Sequence, residues 1–217
     1  MPVKVGLKYI EIWKDSMENA VQAYEAQPLE KGQIVFYGPS NFTRWDPKYG
    51  MKPLRECVLG DSGKPCAVNR GFGSSCSEHQ LYYYHRMVKP LEPKVLVYYC
   101  PGNYEAFGYS AKESWELAQR VIIYTLTDFP DCRIYLSGFN PKRDMNEKYL
   151  RDREWQNAEM KKFCEETPNC TFFDPFEFEP LMRKDIFIKD GVHFSQEGYD
   201  LYAEFMKKVL KDELKNF

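Results

Sequence analysis

Residues 34–45, IVFYGPSNFTRW, restrict the possible folds more than any other stretch of the chain. Four apolar residues, Ile34, Val35, Phe36 and Tyr37, run without a break into Gly38. An unbroken apolar run closed by glycine describes a strand covered on both faces, the situation of a parallel sheet flanked by helices. Glycine takes backbone angles closed to other residues, so the chain can turn sharply at Gly38. Ser40 then falls at the carboxyl end of the first strand, on the edge where open α/β sheets bind their ligands. A serine in that position is either a helix N-cap or a nucleophile.

The remaining sequence repeats the alternation. After the candidate N-caps Asp15 and Ser16, Met17, Ala20, Val21 and Tyr24 mark one face of a helix that Pro28 and Gly32 close. Residues 46–64 are rich in Pro, Gly and charge and read as irregular surface. A short strand at Cys66–Asn69 leads into the loop NRGFGSS, and Ser75 with Glu78 forms a capping box for a helix carrying Leu81, Tyr84 and Val88. Val95–Cys100 is a third strand, followed by the loop PGNYEAFG. Ser110 with Glu113 opens a helix that buries Trp115, Ala118, Ile122 and Leu126. Arg133–Ser137 is a fourth strand, and a charged helix around Arg153–Glu166 buries Trp155, Met160 and Phe163. Thr171–Phe173 is a fifth strand. From Ser195 an amphipathic helix turns Tyr199, Tyr202, Phe205, Met206 and Val209 inward. Five short apolar strands separated by helices and joined by right-handed crossovers define an α/β class. The expected architecture is a flavodoxin-like, doubly wound sandwich with a five-stranded, mainly parallel sheet and helices on both faces. No repeat or linker interrupts it, so residues 1–217 read as one domain.

Composition excludes several classes. A net charge of −2 makes no demand for nucleic acid or an anionic membrane as partner. No apolar run approaches the ~20 residues of a membrane span. The opening MPVKVGLKYIEIWKDS is broken by charges and lacks the apolar centre of a signal peptide. The string KDEL at Lys211–Leu214 is followed by three residues and is no retention signal. A cytoplasmic location is the default expectation. The 7 cysteines are odd in number and contain no C-x-x-C pair, which argues against a disulfide framework or a zinc ribbon and for structural roles. The 3 histidines, His79, His85 and His193, have no metal-ligand spacing, so no metal is expected.

The chemistry gathers at the ends of elements. Just before the last helix the chain reads IKDGVHFSQEGY, with Asp190 and His193 three residues apart. A carboxylate can hold an imidazole in the tautomer that leaves its far nitrogen free to take a proton, although an ordinary turn Asp beside a surface His has the same spacing. Asn103, in the loop after VLVYYC, can donate its side-chain amide to an oxyanion or simply form a turn. In a parallel sheet Ser40, the NRGFGSS loop and Asn103 all lie at carboxyl ends of strands. A serine, oxyanion donors, a base and an orienting carboxylate together make an acyl-transfer constellation.

These blocks resemble the SGNH (GDSL-like) hydrolases over nearly the whole chain. FYGPSNFTRW resembles the family's strand–G-D-S block, particularly the branch with an Arg-Trp pair a few residues on. NRGFGSS resembles its glycine block, YYCPGNY its G-x-N-D block, and DGVHFSQEGY its D-x-x-H block, the most specific of the four. The resemblance implies Ser40 as nucleophile, His193 as base and Asp190 as its orienter. It implies an oxyanion hole built from the Ser40 N–H, a backbone N–H near Gly73–Ser74 and the Asn103 amide. It further implies a cofactor-independent carboxylic ester hydrolase acting on a small-molecule ester, acylated carbohydrates included. The expected reaction is two-step acyl transfer on a small acyl group such as acetyl. Arg44 and Trp45 are expected to have structural roles beside the cleft.

The chain departs from the family pattern at four places. Pro39 stands where the family has Asp, Ser74 where a glycine is expected, and Pro101 and Tyr104 replace Gly and Asp around Asn103. None of these removes a named catalytic group, and the Ser40 N–H survives beside Pro39. They keep open a rival reading, an inactive member of the fold that binds a carbohydrate or other small ligand. A flavin enzyme on a similar sheet would need a better phosphate loop than GPSNFTR. The literal triplet GDS at Gly60–Ser62 is a decoy, since it leaves no room for a helix before the second strand. Ser40 leaves roughly thirty residues, enough for a βαβ crossover.

Overall fold

The structure, a computed structural model, describes residues 14–217. The reading of the N-terminal segment as free of a signal peptide lies largely outside these residues. Five strands form one sheet: β1 (Ile34–Gly38), β2 (Ala67–Gly71), β3 (Val95–Tyr99), β4 (Arg133–Ser137) and β5 (Cys170–Phe173). Their order is β2-β1-β3-β4-β5 and every pairing is parallel. The helices are α1 (Lys14–Glu25), α2 (Ser40–Thr43), α3 (Leu54–Cys57), α4 (Ser77–Met87), α5 (Ala111–Asp128), α6 (Glu147–Glu166), α7 (Gln196–Val209) and α8 (Lys211–Leu214). This is the flavodoxin-like, doubly wound sandwich that the strand pattern predicts.

The continuous apolar run explains why β1 is central. Ile34 and Phe36 point into one core and Val35 and Tyr37 into the other, and all four are fully buried. The first core is sealed by α3, α7 and α8, and the second by α1, α4, α5 and α6. Successive residues of a strand face opposite sides, so a strand between two helical layers has no polar positions.

Four details differ from the sequence reading. Residues 46–64 are not simply irregular surface: a 3-10 turn at Pro47–Tyr49 and the short α3 lie there, and Leu54, Cys57 and Val58 are buried. Those three positions have helical i, i+3, i+4 spacing, hidden by the surrounding Pro, Gly and charge. The capping box of α4 is Cys76–His79 rather than Ser75–Glu78, one residue later. Trp155 is 38% exposed. The buried stripe of α6 runs through Gln156, Met160 and Cys164, and Trp155 lies five residues from Met160, about 140° round the helix. At the amino end, α1 already includes Asp15 and Ser16, so neither caps it. The predicted Ser110–Glu113 capping box is present in both directions.

The connection after β1 packs directly on β2. A Cβ placed on Gly71 would lie 2.0 Å from the Thr43 backbone nitrogen and 2.4 Å from the Phe42 carbonyl carbon. Only a residue without a side chain lets α2 sit there, and α2 carries Ser40. Gly71→Ala is therefore expected to cost about 1–3 kcal/mol or more by overpacking. A urea titration checks this, and an unchanged midpoint would refute the close approach.

Candidate active site

Ser40 is the first residue of α2, and the N-cap is Pro39, with no side-chain cap hydrogen bond. The Ser40 hydroxyl is thus not spent on capping. Its Oγ lies 2.7 Å from Nε2 of His193. On the far side of the ring, Nδ1 of His193 lies 2.7 Å from Oδ2 of Asp190. The second carboxylate oxygen accepts the backbone N–H groups of Val192 at 2.9 Å and His193 at 3.0 Å. Gly191, with φ +71°, makes the turn that folds those amides back onto the aspartate. The ionised carboxylate accepts a hydrogen bond from Nδ1–H, leaving Nε2 as acceptor for the serine hydroxyl.

Burial separates the members of the chain. The His193 side chain is 14% exposed and that of Asp190 39%. Burial pushes the Asp190 carboxyl up, but its hydrogen bonds to His193 and Val192 outweigh this and hold it near about 2. His193 moves below the ordinary histidine value: burial disfavours its charged form, and the positive charges of Arg44 and Lys142 add to this against the pull of Asp190.

Two sets of contacts hold Ser40 and His193 in register. Trp45, fully buried five residues after Ser40, stacks on Tyr199 of α7 at 5.2 Å between centroids and lies 5.7 Å from Tyr202. The Tyr199 hydroxyl donates to the Asn41 carbonyl at 2.7 Å. The helix that follows His193 is thereby clamped to the turn that carries Ser40.

Ser40 opens into a cleft of about 250 Å³, whose walls include Pro39, Pro101, Asn103, Tyr104, Lys142 and Tyr149. Asn103 has φ 57°, and its amide donates to the Ser75 carbonyl at 2.9 Å. That bond uses one of two N–H groups and ties the β3 loop to the β2 loop. Gly73 and Ser74 are not part of the cleft wall: Gly73 lies beside Thr43, and Ser74 is exposed with φ 62°. Ser62 is far from this arrangement in the sheet. It precedes β2, at the amino-terminal edge, and its N–H donates to the Phe217 carbonyl at 3.2 Å.

Sequence reasoning did not find Lys142, Tyr149 or Phe139 as wall residues. They come from the β4–α6 connection and the first turn of α6, and no motif marks them. The connection is fixed by Arg143, whose backbone N–H donates to the Gly191 carbonyl at 2.8 Å and whose guanidinium reaches the Lys189 carbonyl at 3.1 Å. Among the described residues no group of three or more His, Cys, Asp and Glu could hold a metal ion, and no helix is long and apolar enough to cross a membrane.

By sequence, the chain matches no family model and no curated protein. By structure it is similar to a GDSL-like lipase from Bacteroides thetaiotaomicron, with a TM-score of 0.65 at 15% identity, covering 91% of this chain and 98% of that one. A family 3 carbohydrate esterase from Clostridium thermocellum gives 0.63 at 15% identity, covering 86% and 98%. The psychrotrophic esterase EstA from Pseudoalteromonas gives 0.65 at 12% identity, covering 85% and 99%. The chain has the SGNH (GDSL-like) hydrolase fold, over nearly the full length of these structures.

Proposed function

We propose that the protein is a serine esterase that removes a small acyl group, such as acetyl, from a small-molecule ester, acylated carbohydrates included. The observation that carries this reading is the unbroken chain from Asp190 through His193 to Ser40, with both contacts at 2.7 Å. It lies at the carboxyl edge of the sheet and opens into a cleft. The cleft is smaller than the ~300–1,000 Å³ of most ligand pockets, which favours a short acyl group.

In this mechanism Nε2 of His193 takes the Ser40 proton as Oγ attacks the ester carbonyl. Asp190 stabilises the imidazolium that forms without itself taking a proton. The oxyanion is met by the Ser40 N–H and the second N–H of the Asn103 amide, while Gly73 and Ser74 stand off the cleft wall. His193 protonates the departing alcohol, then activates water to release the acid. The engagement of Asn103 with Ser75 is what favours the rival reading, a binding module without turnover.

Labelling with a fluorophosphonate, followed by peptide mass spectrometry, tests the proposal. The expected adduct is on Ser40 and disappears in His193→Ala. An adduct on Ser62 would move the nucleophile, and no adduct on folded protein would leave the binding module. The pH profile gives a second test. The base must be neutral, and its pKa lies below the ordinary 6.5. The acid limb of kcat/KM should therefore have its midpoint below pH 6.5, with full activity retained at neutrality. A midpoint above 6.5 would contradict the arrangement of charges around the ring.

A further inference from the structure

We propose that the substrate of this site carries an anionic group in its alcohol part and that Lys142 receives it. The proposal rests on the esterase reading above, which assigns the small acyl group to the reacting end and leaves the alcohol part to the remaining cleft. Lys142 lies in the cleft wall together with Ser40, and its ammonium sits 4.0 Å from the centroid of the Tyr149 ring. Among the described residues it has neither an ion pair nor a hydrogen bond to a carboxylate. Glu105, the acid in the same wall, is instead ion-paired with Lys148. Burial lowers the Lys142 pKa, the direction expected of an ammonium stripped of water and not fully compensated.

Glu105 offsets part of the cost of burying this cation, but it is already paired with Lys148, so a ligand must supply the remaining charge. The aromatic face of Tyr149 offsets part of that cost and fixes the ammonium in place. Arg44 also faces His193 electrostatically, but its guanidinium lies 5.3 Å from the Tyr49 ring and it is not part of the cleft wall. Lys142 is therefore the cation a bound substrate meets. Its position is tied to the catalytic turn, because the next residue, Arg143, donates its backbone N–H to Gly191 between Asp190 and His193. A single ammonium is a compact point charge that requires only one anionic oxygen, so a singly charged group such as a carboxylate suffices.

The test compares para-acetoxybenzoate with its neutral isostere para-acetoxybenzamide. The quantity read is the ratio of kcat/KM for the anion to that for the amide, which cancels effects common to both substrates. Lys142→Met should lower this ratio about tenfold or more, as expected for loss of a charge-assisted contact. Lys142→Arg should restore most of it. An equal ratio in wild type and Lys142→Met would overturn the proposal while leaving ester hydrolysis intact. If neither ester is cleaved and Ser40 is not labelled, the esterase reading fails by itself. Calorimetry with para-hydroxybenzoate and para-hydroxybenzamide then decides the anion site: preference for the benzoate, lost in Lys142→Met, supports it, and equal binding refutes it.

Discussion

Replacing Ser40 by alanine is expected to lower kcat/KM for an acetyl ester by about 10⁴–10⁶-fold, and His193→Ala by a similar factor. The double variant should be little worse than either single one. In the proposed mechanism Oγ and Nε2 act as one unit across a 2.7 Å contact, and removing either would leave only the oxyanion donors and binding. Asp190→Asn is expected to cost about 10⁴-fold. Its Oδ1 would still accept from the Val192 and His193 amides, so the turn should survive. The new amide would face Nδ1 with a donor and favour the tautomer that places a proton on Nε2, where the serine needs an acceptor. Steady-state kinetics on purified variants with unchanged circular dichroism measures all three. Additive losses in the double variant would show that serine and histidine do not work together.

The second large effect is on stability. Trp45→Ala removes a fully buried indole that stacks on Tyr199 and touches Phe36 and Tyr202, so about 3–5 kcal/mol should be lost. The cavity would open between β1 and α7, beside the turns that carry Ser40 and His193. Activity of the residual folded protein should therefore fall as well, because a displacement of about 1 Å in such a site can cost 10²-fold. Trp45→Phe keeps an aromatic ring in the stack and should recover most of both. Urea denaturation followed by circular dichroism, with kcat measured on the folded fraction, separates the two effects. A Trp45→Ala protein as stable as wild type would mean that α7 does not depend on this ring.

Most of the architecture was legible because the sheet is buried on both sides. Runs such as Ile34–Tyr37 and Val95–Tyr99 have no polar position to confuse with another element, and the spacing between them demanded crossovers. The turn DGVH was legible because carboxylate and imidazole are neighbours in sequence. The packing of α3 was not, since its buried residues Leu54 and Cys57, with Val58 just after, are diluted by Pro and charge. Trp155 was misplaced because a long polar helix buries amides such as Gln156 and Asn157, and hydrophobicity alone did not reveal which face they share. Gly71 gave no warning either, because its constraint comes from a backbone 28 residues away in Thr43. The wall formed by Lys142 and Tyr149 depends on which loops meet across the sheet edge, and periodicity does not report that.

The clamp between Trp45 and Tyr199 has a consequence in time as well as in space. Ser40 and His193 lie 153 positions apart along the chain. During synthesis Ser40 emerges long before its partner, and until α7 closes over β1 its hydroxyl is an ordinary alcohol. On the esterase reading the nascent chain is thus chemically silent, and competence coincides with completion of the first core, which α7 and α8 seal.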